Sequence, residues 1–352
     1  MAKMSPVQAR RLRQLKKRQV EYPRRVMMFW KNTMRDRIKR NAELVDFRAF
    51  RGDLHIHSIY SDGVGTVDEI KDYADSIGLD FLFVTDHGTI RQKRNCLKHP
   101  NVWWGQEPGT EHHHLGILDI DRKYIPKKNL VHDYNRVKEI SGFSFIPHPT
   151  GWFPTTRYTE EQKQALNDLG EEFAMEIING ANQIFNCFDI TDAMAIELWD
   201  QHLAQGKRVT GLGCTDAHLP QAVGDVWTGV LCAEDELTKE GVLEALRCGR
   251  CFVSDAPLAR IEVDGARMGE TVRPSGGAIH LRYECADHCG LSSVRIIKKG
   301  RIFKEMVPDG KTLVKGEISD RFEGGRSYYR LECLTVDARR AYTNPIYIRE
   351  AI

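Results

Sequence analysis

Hydrophobic and polar positions change their spacing twice along the chain. Residues 5–45 contain no glycine, and only Pro6 and Pro23 interrupt them. Leu12, Leu15, Val26, Phe29, Trp30, Met34 and Ile38 can share a face only at a helical period, which predicts two helices broken near Pro23. From residue 51 to 252 short apolar runs alternate with helical stretches. "FRGDLHIHS", "DFLFVTDH", "NVWWGQE", "HHLGILDI", "FSFIPHP", "FAMEIING" and "RVTGLGCTDAH" read as strands. Between them, Val67 to Ile77 reads as a helix with Thr66 as N-cap, Glu69 at the capping-box position and a stop at Gly78. "NLVHDYNRVKEISG" reads as a helix ending at Gly142, and "TDAMAIELWDQHLAQG" as one ending at Gly206. "TKEGVLEALRCGR" reads as the last helix of this region. After Ala256 the period drops to two: "ARIEVDG", "AIHLRYEC", "SSVRIIKKGR", "SYYRLECLTV" and "NPIYIRE" are short alternating strands.

This grammar predicts three units. Residues 1–48 form a helical arm, 49–255 an α/β unit, and 256–352 an all-β sandwich. In the middle unit polar clusters sit just after the apolar strand runs, the way a (β/α) barrel presents a site at one face.

Length and composition fit this plan. The 352 residues are 41% hydrophobic and 28% charged, enough for a sizeable core. No run approaches the roughly 18 consecutive apolar residues of a membrane span, and no apolar stretch follows the basic N-terminus as in a secretory signal. Nine cysteines, an odd number scattered among histidines, read as free thiols in a reducing compartment. A cytoplasmic location is therefore expected. Cys248 and Cys251 form a lone C-x-x-C, which without a second pair does not specify a zinc or redox site. The net charge of +2 hides an asymmetry: residues 1–51 hold sixteen Lys or Arg against four Asp or Glu. Such an arm is suited to nucleic acid, an anionic surface, the protein's own acidic body or a second subunit.

The chemistry concentrates at strand ends. His55 and His57 are spaced i, i+2, so on a strand both face one way. Alone they read first as two exposed polar residues on a half-buried strand, with metal ligation as the alternative. Asp62 follows in a Ser-Asp-Gly turn, and Asp86 and His87 end the second strand. Glu107 ends "WWGQE", His112, His113 and His114 open the next strand, and His148 lies between two prolines. Asp216 and His218 end "GCTDAH". Imidazole with carboxylate suits Zn²⁺, Mn²⁺ or Fe²⁺ better than Ca²⁺. Nine ligands exceed the needs of one ion, so two or three ions are expected. His132 and His202 fall in helices, His99 in a loop, and His280 and His288 in the sandwich; they are left outside the site.

"GDLHIHSIYSDG", "VTDHGT", "GQE", "IPHPTG" and "GCTDAH", in this order, resemble the polymerase-and-histidinol-phosphatase (PHP) superfamily over about residues 50–255. "ELWDQHLAQGKRVTGLGCTDAH" and "GRCFVSDAPLARIEVDG" leading to "AYTNPIYI" resemble its carbaryl-hydrolase-like branch with a C-terminal β-sandwich. The resemblance implies a distorted (β/α)7 TIM-like barrel with a trinuclear metal centre. It implies that His55, His57, Glu107 and Asp216 hold one ion. Glu107 would bridge to a second ion held by His148 and one histidine of the 112–114 run, and Asp62, His87 and His218 would hold the third. "HHLGIL" best fits the family's His-x-Leu-small pattern with His113 as that ligand and His114 as runner-up. The arm has no counterpart in this resemblance.

The implied function is metal-dependent hydrolysis, most directly of a phosphoester on a small phosphorylated substrate, with Glu107 and Asp216 as the catalytic carboxylates. An ester, amide or carbamate hydrolase on the same centre is one alternative, and a nucleic-acid or partner-binding module recruited by the arm is another. Arg157, in the loop after the His148 strand, is the candidate phosphate contact. Trp152 and Phe153 in that loop could wall a pocket, stack on a base or pack in the core, and Arg91, Lys93 and Arg94 after the second strand are a second cationic loop that could reach phosphate or face solvent.

Overall fold

The computed structural model describes residues 33–110, 113–127, 129–152, 156–180, 190–232, 236–274 and 277–350. The arm's first predicted helix, His112 and Phe153 lie outside these residues. Residues 33–44 are helical. That helix is fastened to the C-terminal region: the Arg37 guanidinium donates to Asp287 at 2.7–3.1 Å and to Asp337 at 2.6 Å. One turn on, Asn41 Nδ2 donates to Ala256 O at 2.9 Å.

The middle unit is built on a ring of strands. β1 (Phe50–Asp53), β2 (Phe81–Val84) and β3 (Val102–Gln106) pair in parallel. β4 (Gly116–Ile120) and β5 (Ser141–Phe145) follow, each antiparallel to its predecessor. A short hairpin, β6 (Gly151–Trp152) with β7 (Thr156–Arg157), leads to the parallel pair β8 (Glu172–Asn179) and β9 (Arg208–Cys214). Single bridges, Ile146 with Met175 and Ile56 with Ala217, tie this pair to the ends of β5 and β1. β10 (Trp227–Val230) runs antiparallel to β1, and β11 (Cys251–Ser254) antiparallel to β10. The expected strand-helix alternation is thus broken: β3 reaches β4 without a helix, so the two must run antiparallel.

The helices are α1 (Val67–Ile77), α2 (Lys93–Cys96), α3 (Leu130–Ile140), α4 (Glu160–Gln164), α5 (Ile190–Ala204) and α6 (Lys239–Cys248). α1 shows the sequence logic. Thr66 accepts from the Glu69 N–H while Glu69 reaches back to Thr66, and Gly78 caps the end at φ 83°. Val67, Ile70, Ala74 and Ile77 form its buried stripe. Gly142, expected to stop α3, lies within β5, because the strand starts directly at Ser141.

Beyond residue 256 every element is a strand. β12 (Leu258–Val263), β13 (Ala266–Arg267), β15 (Ala278–Ala286) and β18 (Leu313–Arg321) form one sheet, in the order β13-β12-β15-β18. β14 (Thr271–Val272), β16 (Leu291–Lys298), β17 (Arg301–Met306), β19 (Ser327–Thr335), β20 (Arg340–Thr343) and β21 (Ile346–Ile348) form the other. β20 pairs with β11, so this second sheet is continuous with the site-bearing sheet. One apolar core runs across the junction, from Ile56 and Val84 to Ile261, Leu281 and Ile296. No helix among the described residues is long and apolar enough to cross a membrane.

Candidate metal centre

The site gathers at the C-terminal ends of the strands, as the polar endings of the apolar runs predict. β1 delivers His55 and His57, both fully buried. The chain then turns back through Ser61 and Asp62. Gly63 makes that turn possible, since a Cβ there would lie 2.2 Å from the His57 carbonyl oxygen. Asp86, after β2, fixes the same loop: it accepts from Ser58 N–H at 2.8 Å, Ser58 Oγ at 2.7 Å and Ser61 Oγ at 2.7 Å. His148 and Asp216 adopt φ of 29° and 52°, a region that side chains other than glycine rarely enter. Such residues cost of order 1–3 kcal/mol each and concentrate at functional sites.

Glu107 is the hub. Its Oε2 lies 3.0 Å from His55 Nε2 and 3.1 Å from both His57 Nε2 and His87 Nδ1. Its Oε1 lies 2.8 Å from His114 Nδ1 and 3.1 Å from His148 Nε2. Asp216 Oδ1 approaches His57 Nε2 at 2.9 Å and His55 Nε2 at 3.3 Å. Asp62 Oδ2 sits 3.2 Å from His218 Nε2 and 3.6 Å from His87 Nε2. Three ligand groups result: His55, His57, Glu107 and Asp216; His87, Glu107 and His114; His57, Asp62, His87 and His218.

The electrostatics are those of facing opposite charges. Burial works against ionisation of Glu107, but the charge of His55 and hydrogen bonds from His114 and His148 hold its carboxyl well below the usual range. Asp216 is likewise lowered against its burial, by His55 and His57. Burial opposes protonation of His57, yet the facing carboxylates of Asp216 and Glu107 raise it to about 9. His55 is raised well above its ordinary value against burial, by Glu107, Asp216 and Glu176.

These residues fit a cluster of divalent cations. Three imidazole nitrogens converge on Glu107 Oε2, a buried oxygen with no hydrogen bond of its own. A buried acceptor in that condition is costly unless something positive occupies the convergence point. The mixed histidine and carboxylate set is the one that zinc, manganese and iron take.

Eight of the nine residues singled out in the sequence come together here: His55, His57, Asp62, His87, Glu107, His148, Asp216 and His218. The ninth, His113, needs correction. Its ring is buried against Tyr158 and its Nε2 lies 2.5 Å from the Gln162 carbonyl oxygen. His114 faces Glu107 instead, because alternation along the approach to β4 sends neighbouring side chains to opposite sides. Arg157 is exposed on β7 with its guanidinium 3.1 Å from Met194 Sδ, and none of its hydrogen bonds or ion pairs among the described residues reaches the centre. Trp152 packs edge-on to His148 at 4.8 Å and walls this side.

Two supporting residues escaped the sequence reading. Glu176, buried in β8, places Oε1 2.8 Å from His55 Nδ1, and its Oε2 accepts from His148 N–H at 2.6 Å and Asn179 Nδ2 at 2.9 Å. Asp53 accepts from Thr215 Oγ and, at 3.1–3.3 Å, from the N–H groups of Thr215, His55 and Gly224. The available signal for Glu176 was a carboxylate inside the otherwise apolar run of "FAMEIING".

Comparison with known proteins follows the same lines. Residues 201–251, from the end of α5 through Asp216 and His218 to β11, match the family model PHP_C, described as PHP-associated. No curated protein matches the chain. Among solved structures, the chain is similar to a two-domain Bacteroides vulgatus protein containing a predicted PHP-like metal-dependent phosphoesterase. The TM-score is 0.50 at 20% identity, covering 86% of this chain and 96% of that one. That coverage carries the shared fold into the C-terminal β region. Weaker likenesses are to PsfC from Pseudomonas syringae (TM-score 0.42, 16% identity, 56% of this chain and 88% of that one). Another is the lesion-specific endonuclease EndoQ from Pyrococcus furiosus (TM-score 0.41, 16% identity, 57% and 56%). Residues 201–251 thus match a PHP-associated model, and the fold of the Bacteroides vulgatus protein is shared over 86% of the chain.

Proposed function

We propose that the protein is a metal-dependent hydrolase acting on phosphate esters. The observation that carries the reading is the convergence of three imidazoles on the unsatisfied Glu107 oxygen, with two further imidazoles on its other oxygen. We read the strand ring, joined by the bridges at Ile56 and Ile146, as the distorted (β/α) barrel of the family. Two or three Zn²⁺, Mn²⁺ or Fe²⁺ ions, when bound, supply acidified water and neutralise charge on the phosphoryl oxygens.

The chain's own residues divide the rest of the work. Glu107 joins the ligand groups through its two oxygens. His55, His57 and Asp216 complete one group, His114 and His148 lie at the second, and Asp62, His87 and His218 form the third. Glu176 and Asp53 hold the β1 histidines from behind. Asp216 Oδ2, whose hydrogen-bond contact among the described residues is Asn179 Nδ2 at 3.5 Å, is placed to accept the proton of the attacking water.

The test compares p-nitrophenyl phosphate with p-nitrophenyl acetate on manganese- or zinc-loaded protein, with Asp216→Asn as control. Phosphate-ester cleavage that is lost in the variant and on chelation supports the proposal. Cleavage of acetate alone moves the reaction to carbonyl chemistry, and full activity in the variant overturns the role of the centre.

A further inference from the structure

The centre is most open at Asp62, His87 and His218, with His114 24% exposed beside the other Glu107 oxygen. The side chains of Asp62, His218 and His87 are 53%, 39% and 34% exposed, whereas those of His55, His57 and Glu107 are at most 1% exposed. Substrate therefore arrives over Asp62, His87 and His218. The border of that opening comes from two stretches tied to each other: the loop after β1, where Ile59 N–H donates to Gly65 O at 3.0 Å, and the segment from His218, whose carbonyl accepts from Val64 N–H at 2.9 Å.

These stretches carry Ile59, Val64 and Leu219, each more than half exposed. Singly, an exposed aliphatic residue needs no explanation; three on two loops that hydrogen-bond to each other beside the most exposed ligands are a different matter, because apolar side chains beside a polar site favour an apolar group on the ligand. The nearby cations narrow the choice. Lys93 is paired with Asp121 at 3.0 Å, and Arg157 lies against Met194. Arg91 has no carboxylate within ion-pair distance among the described residues, and its guanidinium stands 5.9 Å over the ring of Tyr60, two residues before Asp62. Asn95 Nδ2 holds the Tyr60 hydroxyl at 2.8 Å.

We infer that the substrate is a phosphate ester of an apolar alcohol, its anion steered by Arg91 and its organic part seated on Ile59, Val64 and Leu219. This rests on the phosphoesterase reading above and adds the substrate class to it. A sugar phosphate would leave its hydroxyls facing three aliphatic side chains.

Calorimetric titration of the manganese-loaded full chain with methylphosphonate, hexylphosphonate and glycerol 2-phosphate tests it. These probes share the anion and differ in the organic part. Hexylphosphonate is expected to bind about tenfold or more tighter than methylphosphonate, since each methylene leaving water favours binding. In the Val64→Ser, Leu219→Ser double variant that ratio is expected to fall to about two, and Arg91→Ala is expected to weaken both phosphonates by a common factor of roughly five to ten. Methylphosphonate binding as tightly as hexylphosphonate, or glycerol 2-phosphate outcompeting both, overturns the apolar class while leaving the phosphoesterase reading intact. A ratio unchanged in the double variant overturns the assignment of the seat. Failure of all three probes to bind removes the phosphoester reading and this inference together.

Discussion

Replacing Glu176 by glutamine keeps the shape of a buried side chain and removes its charge. In the native site this carboxylate faces three polar groups: His55 Nδ1 at 2.8 Å, the His148 N–H at 2.6 Å and Asn179 Nδ2 at 2.9 Å. With a carboxylate, both oxygens can accept. With a carboxamide, one oxygen remains and the NH2 must turn toward a group that itself donates. At least one of the three contacts is then lost, and a buried group left unpaired costs about 1–3 kcal/mol. His55 suffers most directly, because contact at Nδ1 keeps Nε2 directed at Glu107 and Asp216. Carboxylates behind ligating histidines are typically worth 10–100-fold in metal affinity, which is about 1.4–2.7 kcal/mol.

Glu176→Gln should therefore bind Zn²⁺ on the order of 10–100-fold more weakly in competition with a fluorescent chelator. Circular dichroism of the same sample should stay unchanged, and Glu176→Asp should recover part of the loss. A folded glutamine variant with native zinc affinity would refute the claim that β8 orients the ligands of β1 and the His148 loop.

Three further outcomes follow from the geometry. His114→Ala should lower the number of metal ions bound per chain by elemental analysis, whereas His113→Ala should leave that number unchanged and lower the melting temperature, because His113 is packed against Tyr158 and the Gln162 carbonyl. Burial, with the neighbouring charges of Asp53 and Asp255, outweighs Arg339 and pushes the Asp225 carboxyl up to about 7. A folded pKa above the unfolded one means stability is lost as pH rises from about 4 to about 7, so Asp225→Asn should gain on the native chain over that window. The gain should be larger at pH 8 than at pH 5 by on the order of 2–4 kcal/mol, and equal unfolding differences at the two pH values would refute it. Arg37→Ala leaves the buried Asp287 carboxylate with hydrogen bonds from Asn41 and the Cys289 N–H but without its cation, beside a half-exposed Asp337; the expected loss is about 3–5 kcal/mol in denaturant titration, with faster proteolysis of residues 33–44.

How far the sequence revealed this arrangement depended on whether one residue's neighbours announced its environment. The strands bearing ligands ended apolar runs, so both the strand and the chemistry at its tip were legible, from "DFLFVTDH" to "GLGCTDAH". α1 was legible because its cap, its stripe and its terminal glycine agree. β17 and β18 were missed because they alternate weakly: β17 is exposed along most of its length, and β18 shows only partial burial at every second residue. They lie at sheet edges, where charged residues guard against further pairing. His113 and His114 could not be separated by pattern, since the local turn at Thr110, which bonds to the His113 backbone, sets which ring points inward.

The supporting carboxylates reveal why the missed residues had to be where they are. Asp62, Glu107 and Asp216 are ligand candidates, and behind them the fold places Asp53, Asp86 and Glu176, all fully buried. Burying three extra carboxylates in a strand-end cluster is unfavourable unless positive charge lies close by. Serine hydroxyls and backbone N–H groups satisfy Asp86, and Asp53 has four donors, yet burial still pushes Asp53 up to about 6. Six carboxylates around six imidazoles call for compensating positive charge at the centre. The same count explains why His55 and His57, which face both Glu107 and Asp216, are driven toward protonation: protons are what those carboxylates hold there. On this argument an ion entering the group of His55, His57, Glu107 and Asp216 must displace protons from His55 and His57, so metal loading followed in weakly buffered solution should acidify the medium, and loading without proton release would contradict the assignment of these histidines as ligands.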